Sequence, residues 1–112
     1  MTLGSIDTSF FNMHAGFLGS PELYAAGGYA AMQDFLDASK YLTTVIDIEC
    51  NMDEISQKSI IDLMNVLFQA PDLSATKIVE YLNLVERFLS YAKSEGCNIQ
   101  SITFPVINVT SE

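Results

Sequence analysis

One histidine and two cysteines are the residues of this 112-residue chain best suited to thiol–imidazole or zinc chemistry. A zinc site draws three or four Cys, His or carboxylate ligands, usually at short spacing. His14 has no such neighbours, and Cys50 and Cys97 are far apart in sequence. Thiol catalysis needs an imidazole beside the sulfur and a group to orient it. Only the fold can bring His14 to Cys50 or Cys97, so a small cysteine-dependent enzyme stays the least supported of three functional readings. The simpler expectation is a surface or half-buried histidine and two free, half-buried thiols.

Paired carboxylates are present at Asp34/Asp37, Asp47/Glu49 and Asp53/Glu54. Acid–base work asks for two carboxyls in unlike environments, one of them desolvated. Asp34 and Asp37 fall on what reads as a solvent face, so they are expected as solvated charge. Gly27-Gly28 follows no strand, and neither GxGxxG nor a Walker pattern occurs, so no phosphate cradle is expected. Catalytic residues, metal ligands and cofactors are all expected to be none.

The charge balance narrows the partners. Fourteen acidic residues against five basic ones give a formal charge of −9. Charged residues total only 17%, below the usual share of about 25%, so the imbalance comes from missing cations. Arg87 is the sole arginine, and Lys40, Lys58, Lys77 and Lys93 stand apart. A nucleic-acid binder clusters Lys and Arg to release counterions, and a membrane-surface binder does the same for anionic lipid. Both partner classes are excluded as expectations: no nucleic acid, no membrane. An acidic surface favours encounter with a basic protein. No apolar run approaches the length of about 18 residues that a membrane span requires. The first residues, Met1-Thr2-Leu3-Gly4-Ser5-Ile6-Asp7, lack the basic and apolar regions of a secretory signal. A cytoplasmic location with reduced thiols is therefore expected, and the sequon at Asn108-Val109-Thr110 reads as chance.

The elements follow from periodicity and caps. Hydrophobic residues make up 49% and the mean hydropathy is +0.25, enough for one core. Asp7-Thr8-Ser9 suits the start of a short helix through Phe10, Phe11, Met13 and His14. Ser20-Pro21-Glu22 is a strong helix start, with Ser at the N-cap, Pro at N1 and an acid at the positive end of the dipole. That helix is expected to run to about Glu49 on the stripe Phe35, Ala38, Leu42, Val45, with a kink or break at Gly27-Gly28. A second helix is expected from Asn51, where Glu54 completes a capping box, and to end before Pro71. A third begins at Asp72 or Ser74, carries Ile78, Leu82, Val85, Leu89 and Ala92, and stops at Glu95-Gly96.

The expected fold is mostly α: a three-helix up-down-up bundle over residues 20–97, with an N-terminal arm or short helix over 1–19 and an extended segment over 98–112. The alternative is α+β, with strands near 41–49 and 99–109, because both stretches are rich in β-branched residues or alternate in polarity. In the up-down-up arrangement Cys50 and Cys97 share a pole.

Function is read from surplus apolar surface. Phe10, Phe11, Phe17 and Leu18 precede the bundle, and Phe104 and Val106 follow it. Three helices already hold enough apolar side chains for a core, so these flanks either cover it or meet another molecule. The small-residue run around Gly27, Gly28 and Tyr29 lets another backbone come close. These nine residues are the candidate protein-binding positions. The leading expectation is a non-enzymatic protein–protein interaction module: a homodimeric small acidic antagonist, immunity-type inhibitor or chaperone that sequesters a partner protein, basic by preference. The second is a structural subunit of a homopolymeric or secretion assembly.

Overall fold

Four helices and no strand make up the described part of the chain, residues 8–104 of a computed structural model. Helix α1 spans Phe10–Leu18, α2 Pro21–Leu42, α3 Gln57–Gln69 and α4 Ala75–Ser94, with one 3₁₀ turn at Met52–Glu54. The mostly helical expectation holds. The N-terminal cap signals are met closely. The hydroxyls of Ser9, Ser20 and Ser74 each accept the backbone N–H three residues on, which satisfies one of the otherwise orphaned donors of a helix start. Gly96, at φ 108°, ends the last helix.

The glycine pair breaks α2 as expected. Gly27 (φ 159°, ψ 18°) and Gly28 (φ 65°, ψ −137°) leave helical space, and the helix resumes in a new direction. The far end of α2 differs from expectation. It stops at Leu42, not near Glu49, and 43–49 form turns. The hydroxyls of Thr43 and Thr44 donate to the carbonyls of Lys40 and Tyr41 at 3.2 and 2.6 Å. Such local side-chain bonds compete with continued helix. Val45 and Ile46 still pack against the core, so the apolar spacing was real although the helix was not.

The α+β alternative fails over the described residues. Apart from one isolated bridge between Ser9 and Asn51, no β pairing occurs there. Residues 99–104 lack regular structure and hydrogen-bond to a side chain rather than to a strand. The Gln57 amide donates to the Thr103 carbonyl (2.9 Å) and accepts from the Thr103 N–H (2.8 Å). The remainder of the expected second strand lies outside the described residues.

The capping box at Asn51 also forms, since the Asn51 N–H donates to Glu54 Oε2 at 2.9 Å. It starts only the 3₁₀ turn. Ile55 then turns extended and is 1% exposed. Burying Ile55 and Met52 outweighs extending the turn, and α3 restarts after Ser56.

The core joins all four helices. Phe10 and Phe17 from α1 meet Phe35 from α2 and Phe88 from α4, with ring centroids 4.8–5.6 Å apart. Burying such a ring fully is worth about 1.5–3 kcal/mol. Residues 10–18 are therefore a helix of the common core. Helices α2 and α4 run antiparallel. Asp34 and Tyr41, late in α2, meet Lys77 and Tyr81, early in α4, while Tyr91, late in α4, meets Phe17 just before α2.

Candidate functional site

His14 sits in the aromatic cluster. Its ring stacks on Phe35 at 4.9 Å and lies 5.5 Å from Phe10 and 6.1 Å from Phe88. Its Nε2 is 2.8 Å from Ser39 Oγ. The Ser39 hydroxyl donates its single proton to the Phe35 carbonyl at 2.7 Å. Ser39 must then accept from His14, so the imidazole is protonated at Nε2. A Ser–His nucleophile needs the opposite polarity, with serine donating to the ring. The pair is thus arranged to hold α1 against α2.

Burial lowers the His14 pKa from its ordinary 6.5. The folded state therefore disfavours the imidazolium relative to the unfolded chain. The stability this confers is complete above about pH 6.5 and is lost as pH falls through the folded pKa. Urea denaturation at about pH 7.5 and 5.5 is expected to show the wild type weaker at the lower pH, and His14→Gln to flatten that difference. An equal drop in the variant would assign the pH effect to other groups.

Burial also pushes both thiols up, with nearby carboxylates adding to the effect: Glu54, Asp47 and Asp53 at Cys50, Asp53 and Glu95 at Cys97. An activated thiol nucleophile requires a shift in the other direction. Cys97 is buried, Cys50 is half-buried, and both are free. Among the described residues no three His, Cys, Asp or Glu side chains gather as metal ligands would, and no helix is long and apolar enough to cross a membrane.

The candidate interaction residues divide sharply. Phe10 and Phe17 are 1% and 0% exposed; they belong to the core and present no surface. Phe104 is half-buried against that core, and Val106 lies outside the described residues. Phe11 is 67% exposed but projects alone from α1. Three of the remaining four come together. Leu18, Gly28 and Tyr29 line one groove with Pro21, Leu23, Tyr24 and Met32, about 440 Å³ in volume and free of charged side chains. Tyr24 and Tyr29 are 76% and 71% exposed there. Gly27, the last candidate, lines a different depression between α2 and α4. The chain matches no protein-family model, no curated protein and no solved structure.

Tyr24 was not among the expected surface residues. On an unbroken helix, residues five apart point about 140° from each other, so nothing in the spacing joins Tyr24 to Tyr29. The glycine break between them puts both on one groove. A second apolar patch was also missed. Ile61 and Phe68 are large, exposed and one heptad apart on α3, with half-buried Met64 between them. They lie on α3 next to its buried stripe of Ile60, Leu63 and Leu67.

Proposed function

We propose that this protein is a non-enzymatic protein-interaction module that forms a homodimer and sequesters a partner, as a small acidic antagonist, immunity-type inhibitor or chaperone does. The scaffold is read as an antiparallel α2/α4 pair with α3 packed beside it and α1 added to the same core. A cytoplasmic setting suits two thiols left free. The observation that carries the reading is the pair of exposed tyrosines framing an uncharged groove at the α2 kink. Large aromatic side chains held in water at the edge of an apolar depression are what protein interfaces use as anchors. The net charge of −9 adds steering toward basic surfaces and repels acidic ones.

Light scattering at micromolar concentration is expected to give a dimer. Tyr24→Asp combined with Tyr29→Asp is expected to return it to a monomer with unchanged helicity by circular dichroism. A wild-type protein that is monomeric under those conditions would refute the dimer.

The α3 patch favours one further reading. Two unlike apolar patches on one chain, at the α2 kink and at Ile61/Phe68, are the raw material of head-to-tail contacts. A structural subunit of an open assembly would show mass growing with concentration and lost on Phe68→Asp, whereas a closed dimer would keep its mass.

A further inference from the structure

The larger depression, of about 870 Å³, runs between α2 and α4 and shares no residue with the tyrosine groove. Its α2 side carries Ala26, Gly27, Ala30 and Ala31 between Glu22 and Asp34, and its α4 side includes Leu84, Arg87 and Tyr91. Short side chains on one wall let a third helix axis come in at the close end of the usual 8–10 Å spacing. The antiparallel α2/α4 pair supplies two of the helices such packing needs, and no described element covers this face. Its rim is acidic. Glu22, Asp34, Glu80 and Glu86 line the trough against the single cation Arg87. Lys77 engages Asp34 at 2.9 Å and Glu80 at 3.8 Å. Among the described residues Glu22 and Glu86 make no ion pair.

We propose that the α2/α4 trough is the docking site for one basic amphipathic helix of a partner protein. Small and aliphatic residues of that helix pack on Ala26, Ala30 and Leu84, and its lysines or arginines meet Glu22 and Glu86. Helix-in-groove recognition reads anchors at helical spacing, and the acidic rim selects the sign of the flanking charge. The proposal rests on the interaction-module reading but needs neither the dimer nor the tyrosine groove.

The test uses the full chain and a labelled helical peptide of about 18 residues, roughly five turns, with alanine and leucine on one face and lysines toward both ends. A second peptide of the same length and charge carries two prolines in place of two central alanines, so that charge is kept and helix is lost. Fluorescence anisotropy is expected to show the helical peptide binding at least about tenfold more tightly than its proline-broken counterpart. Ala30→Trp and, separately, Ser90→Arg, both at exposed positions lining the trough, are expected to weaken the helical peptide about tenfold with helicity unchanged. Glu22→Gln with Glu86→Gln is expected to weaken it severalfold at low salt, with the gap closing at high salt. Tyr24→Asp with Tyr29→Asp is expected to leave it unaltered. Equal binding of the two peptides would reduce the effect to bulk charge, and unchanged binding in both Ala30→Trp and Ser90→Arg would place the helix elsewhere. Either result overturns the proposal while leaving the light-scattering test of the dimer intact.

Discussion

Phe17→Ala is expected to destabilise the protein by about 3–5 kcal/mol, read from urea denaturation. Phe17 is 0% exposed and sits among three rings: Phe35 at 4.8 Å, edge to face, Tyr91 at 5.4 Å and Phe88 at 5.6 Å. Truncation would leave a cavity bounded by three helices, none of which can close on it without disturbing another contact. Domains have only about 5–15 kcal/mol of net stability, so the variant is expected near its unfolding threshold at room temperature. Phe11→Ala is the matched control. It removes the same side chain from the same helix, but at a site 67% exposed, where a change within about 0.5 kcal/mol is expected. If the two variants lost equal stability, α1 would not be part of the core, and Phe10 and Phe17 would return as surface candidates.

That contrast also shows where the sequence was readable. Helix starts were legible because their chemistry is local: a serine hydroxyl three residues before a free N–H, or a proline at N1, decides the matter within one turn. The glycine break in α2 was legible for the same reason. The assignment of α1 was not local. Phe10, Met13 and Phe17 do follow a helical stripe, and all three are buried, so the spacing held the signal. Whether that stripe closes on its own chain or on another molecule depends on how much of the core α2, α3 and α4 leave open, and no window of sequence contains that quantity. The end of α2 failed in the opposite way. The apolar period runs on through Val45, but two threonine hydroxyls turn back to the preceding carbonyls and stop the helix. At Asn51 the cap is correctly formed, yet burial of Ile55 ends its turn at once. The grooves were the least legible feature, because they depend on the direction α2 takes after the break and on which faces α4 leaves uncovered.

Gly28→Ala is expected to cost about 1–3 kcal/mol, and the reason is handedness rather than space. A Cβ built at Gly28 meets nothing within 4 Å, so no clash with a neighbouring residue enters. The backbone stands at φ 65°, ψ −137°, the mirror image of the extended conformation that L-residues favour near φ −65°. An L-side chain there strains against its own carbonyl, while a D-side chain is at ease. Chemical synthesis with D-alanine at position 28 is therefore expected to give a more stable chain than L-alanine there, because a D-residue adopts this backbone without that strain. Thermal or urea denaturation of the three proteins separates the cases. Equal stability of the L- and D-alanine forms would mean that the break is not held by a left-handed residue. The consequence reaches the surface, because Gly27 lines the acidic trough and Gly28 the tyrosine groove. A straightened α2 would swing Tyr24 and Tyr29 apart by about 140° and remove the apolar face they frame. The D-alanine form, which holds the break more firmly, is thus expected to keep the dimer in light scattering, and the L-alanine form to lose it in proportion to the fraction of chains whose helix has straightened.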